Sequence, residues 1–153
     1  MDNEKNSIYL ANRLFKRYKT TNPFELCDFL GIKVFFENLG SLKGYTTTMY
    51  RIHTIHLNSD LQSHEQAFTC LHELGHIILK HNQNNIYLST KTFLNVNKIE
   101  NEANMFATHM ILNKYNKEEL QSLTIEQISN LTGVNKIHLD MYFYCKYNSR
   151  SKI

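Results

Sequence analysis

The stretch 63–80, SHEQAFTCLHELGHIILK, constrains the chain more than any other. Ala67, Leu71, Leu74 and Ile78 recur at intervals of four, three and four, the spacing of one apolar helix face. Ser63 and Gln66 have capping-box spacing, which predicts a helix start there. Phe68, His72, His76 and Leu79 form the adjacent stripe, so the two imidazoles lie one turn apart and point the same way. His72-Glu73-Leu74-Gly75-His76 is an H-E-x-x-H pattern. Two imidazoles so spaced can hold one zinc ion, and the carboxylate between them can reach a water on that ion. With eight histidines in the chain, chance gives such a match roughly three times in a hundred. The setting favours a metal site over an ordinary buried helix, because Gly75, costly inside a helix, implies a close neighbour.

A hydrolytic zinc site needs a third protein ligand and an open fourth position. The segment 99–107, IENEANMFA, offers Glu100 and Glu102, which point about 200° apart on a helix, so at most one faces the metal. Glu100 lies in line with Asn104 and Ala107 and is the favoured ligand, with Asn104 one turn later placed to hydrogen-bond a ligating histidine. Asn97 with Glu100 also has capping-box spacing, so Glu100 could instead cap a helix running from about 97 to 112. Tyr45, His109 and the tyrosines between 142 and 147 are the available donors for a tetrahedral oxyanion.

The rest of the chain predicts an α+β fold. Residues 3–19 read as a helix with a basic, solvated face. Asn22-Pro23 caps a short helix over 23–30, which Gly31 stops. Strands are predicted over 32–37, 44–50 and 52–57. His53 and His56 would face opposite sides of the last strand, so neither shares a metal with the other, and both read as surface or edge residues. Residues 81–85 form a polar break, and 86–97 read as irregular, a lid or substrate-facing loop. Thr124 and Gln127 can cap a helix through Leu131, Gly133 marks a turn, and 135–146 read as a second helix. Helix, turn and helix could bind DNA, but NKIHLDMYFYCK offers few base-reading side chains, so a packed helical hairpin is preferred.

Composition narrows the setting. Hydrophobic residues are 42% and charged residues 20%, a globular profile, and net charge is only +3, too mild to argue for nucleic acid. No run has transmembrane length and no signal peptide is visible. Cys27, Cys70 and Cys145 form neither a disulfide framework nor a CxxC site. The expectation is one cytoplasmic domain over 1–153: a catalytic core over about 1–120, and a hairpin over about 121–153.

These residues resemble the ImmA/IrrE family of zinc metallopeptidases over most of the chain. The shared pieces are NPFEL (22–26) leading into LGI (30–32), Gly44-Tyr45, IHLN (55–58), FTCLHELGHIIL (68–79) and ENEANMFA (100–107). The likeness implies Zn2+ held by His72, His76 and Glu100, with Glu73 as catalytic base. The fold it implies is a small three-stranded sheet on zincin-type H-E-x-x-H helices. Short members of phages and mobile elements are similar to anti-repressors that cut a helix-turn-helix repressor, so such a repressor is the expected partner, with neither membrane nor direct nucleic-acid binding. A catalytically silent zinc regulator, or a transcription regulator using the C-terminal helices, is the alternative. Relatives often close the second site helix with a Leu-Met-Pro-like sequence, where this chain has Met110-Ile111-Leu112-Asn113.

Overall fold

The computed structural model describes residues 3–81 and 93–148. In chain order the elements are α1 (Asn3–Tyr18), α2 (Pro23–Leu30), β1 (Lys33–Glu37), β2 (Gly44–Met49), β3 (Ile52–Asn58), α3 (Ser63–Ile78), α4 (Phe93–Leu112), α5 (Lys117–Gln121), α6 (Ile125–Thr132) and α7 (Lys136–Asn148). The α+β expectation is met, with one small mixed sheet and helices at both ends. No described helix is long and apolar enough to cross a membrane.

Local signals account for most boundaries. The Asn22 side chain accepts from the Phe24 amide at 2.9 Å, and Gly31 ends α2 in the left-handed region at φ 70°. Thr124 and Gln127 cap α6 reciprocally. Elsewhere the structure corrects the sequence reading. α3 does begin at Ser63, but the reciprocal pair is Gln62 and Glu65, one residue earlier than Ser63 and Gln66. α4 begins at Phe93, so Asn97 and Glu100 lie inside a helix and Glu100 is not a cap. The expected irregular stretch therefore ends earlier, and its part over 86–92, with residues 82–85 of the polar break, lies outside the described residues. The short α5, capped by Asn116, was not anticipated.

Strand order is β1-β3-β2, with β1 parallel and β2 antiparallel to β3. Ile55 and Leu57 point into the core from β3, and Thr54 and His56 take the other face. His56 is therefore no edge residue. It sits on the central strand, stacked between Phe35 (5.2 Å) and Tyr45 (4.6 Å), with Nδ1 2.7 Å from Glu37 Oε1.

One core packs α1, α2 and β3 onto α3 and α4 through Leu26, Ile55, Leu57, Leu71, Leu74 and Phe106. Cys27 and Cys70 are buried in it as free thiols. A second core joins α4 to the C-terminal helices through Met105, Leu120, Ile128, Val134, Leu139 and Tyr142. Phe68 of α3 and Ile111 of α4 pack against both. Leu139 and Tyr142 thus anchor α7 in the second core, as the packed-hairpin reading expects.

His109 ties three helices together: its Nδ1 lies 2.7 Å from the Tyr142 hydroxyl and its Nε2 2.9 Å from Asn12 Oδ1. Burial, with smaller contributions from Lys146 and Lys117, lowers its pKa from 6.5 to about 4. A histidine so depressed stabilises the fold in its neutral form, fully above about pH 6.5 and progressively less as pH falls through 4. A fall from 6.5 to about 4 corresponds to about 3 kcal/mol. Denaturant unfolding of wild type and His109→Gln should show the stability gap between them shrinking by about 3 kcal/mol from pH ~8 to pH ~4. A gap independent of pH would contradict this assignment.

Candidate metal centre

α3 carries His72 and His76 on one stripe, and α4 lays Glu100 across them. The two Nε2 atoms are 3.1 Å apart, and the Glu100 oxygens lie 3.2 Å from His72 Nε2 and 3.4 Å from His76 Nε2. Among the described residues these three form the one group whose ligand atoms converge, all within 4.8 Å of one another. The contact between the helices is tight at Gly75, where a Cβ would lie 3.2 Å from Phe106 Cδ1 and 3.3 Å from the Ala103 Cα. That is the close neighbour which a glycine at this position implied.

Asn104, one turn beyond Glu100, accepts from His72 Nδ1–H at 2.8 Å, which leaves the Nε2 lone pair facing the cluster. Glu102 does not reach the cluster. Its Oε2 lies 2.8 Å from His81 Nε2, and His81 Nδ1 lies 3.0 Å from His76 Nδ1. His81 was not singled out in the sequence, where it looked like the start of a polar break.

A set of two imidazole nitrogens and one carboxylate oxygen fits a divalent first-row metal such as zinc. In the protein alone the same groups share their protons unevenly. Burial would lower His72, but Glu100 and Glu73 reverse this and hold it above its ordinary value. Burial, then His72, lowers His76 to about 4. The hydrogen bond from His72 lowers Glu100. Glu73 is buried, and that burial is the main cause of a carboxyl raised to about 7, against an opposing pull from His72.

All four groups open onto a cleft of about 810 Å³. One wall is Lys43, Gly44 and Tyr45 at the start of β2. The α6–α7 turn also lines the cleft, with His138, whose ring stacks on Phe68 at 5.2 Å and 10°. Burial, then the charges of His72 and Lys43, lowers the pKa of His138. His138 too was missed, because its approach to Phe68 joins residues 70 positions apart and leaves no local period. Of the oxyanion donors considered, Tyr45 lines the cleft with its ring stacked on His56. His109, Tyr142 and Tyr147 instead line a separate cavity, and Tyr144 is exposed.

Residues 27–136 match the profile of the IrrE N-terminal-like domain. The chain belongs to that family. Two curated relatives agree with this membership. One is the uncharacterized immunity region protein 2 of Bacillus phage phi105, 35% identical over 127 residues, covering 81% of this chain and 80% of the relative. The other is metallopeptidase ImmA of Bacillus subtilis (strain 168), 29% identical over 135 residues, covering 85% of this chain and 73% of the relative. The family match takes in the sheet, α3 and α4, hence His72, Glu73, His76, Glu100 and Asn104, and stops short of His138.

Metal analysis of purified protein should find about one ion per chain, lost in His72→Ala and His76→Ala. Glu100→Ala should weaken retention more than Glu102→Ala. A full complement in His72→Ala, or the reverse ranking of the two acids, would contradict the site.

Proposed function

We propose that this protein is a zinc-dependent endopeptidase of the ImmA type that makes one or a few cuts in a helix-turn-helix repressor of a phage or mobile element, and so derepresses its genes. The observation that carries the reading is the convergence of His72, His76 and Glu100 beside the buried carboxylate of Glu73, in one cleft. The names of the relatives, a phage immunity region protein and a metallopeptidase, support the two halves of the proposal.

Zinc on His72, His76 and Glu100 would supply Lewis acidity, lowering the pKa of water and polarising the scissile carbonyl. The chain's own residues do the rest. Glu73 takes the proton of the attacking water and gives it to the leaving amine, a task suited to a carboxyl raised to about 7. Asn104 fixes the ring of His72. β2 stands at the end of the strand order and opens onto the cleft at Gly44 and Tyr45. An extended peptide can add there by main-chain hydrogen bonds.

Selectivity would come from the cleft walls and the helical ends, which is how a small cytoplasmic peptidase avoids digesting its surroundings. Direct DNA reading is not part of the proposal. Leu139 and Tyr142 anchor α7 in the core, and Lys136 is paired with Glu126 at 2.7 Å. A purely structural metal site would have no use for Glu73, which favours an enzyme over a silent regulator.

Glu73→Gln keeps size and should keep zinc, while cleavage falls by about two orders of magnitude or more. Co-expressed with its cognate repressor, wild type should shorten the repressor and Glu73→Gln should leave it whole, with little action on casein-like unfolded chains. Equal cleavage by Glu73→Gln would end the mechanism. Digestion of unfolded proteins beside an untouched repressor would end the anti-repressor role alone.

A further inference from the structure

The turn that ends α3 brings a third histidine behind the metal-site pair. Leu79 closes the helix, and Lys80 follows in the left-handed region at φ 58°. The Lys80 amide donates to the Ile77 carbonyl at 3.1 Å and the His81 amide to the His76 carbonyl at 2.9 Å. This is a Schellman motif, usually built on glycine at the position Lys80 occupies. A lysine held there is strained where glycine would not be, and such strain collects at functional positions. Its consequence is local: the His81 ring packs edge-on against that of His76, with centroids 5.2 Å apart.

The hydrogen bonds then run in one direction. A carboxylate oxygen accepts, so His81 Nε2, 2.8 Å from Glu102 Oε2, is the donor of that bond. With its proton at Nε2, His81 offers the Nδ1 lone pair 3.0 Å from His76 Nδ1, and the bond is made with His76 as donor. His76 keeps its lone pair on Nε2, the atom facing His72 and Glu100. The His81 and Glu102 side chains are only 8% and 7% exposed. Among the described residues Glu102 Oε1 has no hydrogen-bond partner, so the one partner its carboxylate has there is His81.

We propose that Glu102 and His81 form a positioning relay, Glu102 to His81 to His76, that fixes the ring orientation and tautomer of His76 for metal binding. Asn104 does the same for His72 by a neutral amide. The two ligands are thus set by unlike partners: the relay ends in a carboxylate and raises the basicity of His76, while Asn104 only orients His72. The second acid of the ENEAN segment, which cannot reach the metal, acquires a role at one remove. The relay rests on reading the cluster as a metal site.

The test uses the full chain and Co2+ as probe, with affinity measured against a competing chelator and the visible spectrum of the bound ion recorded. His81→Phe combined with Glu102→Leu removes both polar partners, so no buried charge is stranded. It should bind Co2+ about 10–100-fold more weakly, with shifted ligand-field bands. His81→Gln, which retains an acceptor and a donor, should recover most of that loss. Affinity and spectrum unchanged in the double variant, with only the unfolding midpoint of the metal-free protein moved, would overturn the relay and leave the metal site standing. Failure of wild type to take up Co2+ would overturn both. Long-range ¹H–¹⁵N spectra of zinc-loaded wild type need no variant: His81 should be the neutral Nε2–H tautomer, and an Nδ1–H tautomer or a cation would refute the relay.

Discussion

The metal cluster depends on how closely α3 and α4 approach at Gly75. A Cβ there would press on Phe106 and on the backbone of Ala103, 3.2 and 3.3 Å away, and the helices would have to part by tenths of an ångström. His72 and His76 flank that glycine on one helix, and Glu100 and Asn104 flank Ala103 on the other. Any separation would widen the contacts of 3.2 and 3.4 Å between the imidazoles and Glu100. The unfavourable helix propensity of glycine, about 1 kcal/mol against alanine, is the cost of that approach.

Around this pair the remaining elements build walls. The sheet presents Ile55 and Leu57 to α3 and sets the start of β2 at the cleft. The C-terminal helices add to that lining. Gly133 takes φ 73° and lies so near His64 that a Cβ would be 2.9 Å from its ring, which seats the α6–α7 turn on the first turn of α3. His138 reaches the cleft through that seating. The same helices thus complete the second core with Leu139 and line the cleft with His138.

Much of this was legible because it is local. The interval of four between His72 and His76, and between Glu100 and Asn104, fixes which side chains share a helix face before any tertiary contact is known. Asn22 and Gly31 announce their helix ends by chemistry, and the three strands by β-branched and aromatic content. Errors arose where local signals mimic one another. Asn97 and Glu100 have capping spacing inside a helix, and Gln62 with Glu65 competes with Ser63 and Gln66 one residue on. His56 looked peripheral because strand order, which places β3 in the middle, is not written in any one strand. His81 stayed hidden because its turn uses Lys80 in a conformation that glycine or asparagine would have advertised.

Every role assigned to the cleft requires one metal ion on His72, His76 and Glu100. Anomalous diffraction at the zinc edge, from crystals of the zinc-loaded protein, tests it most directly. One strong peak is expected about 2.0–2.2 Å from the Nε2 atoms of His72 and His76 and from a Glu100 oxygen. A peak bound by His81 or Glu102 instead, or none near the three residues, would contradict it.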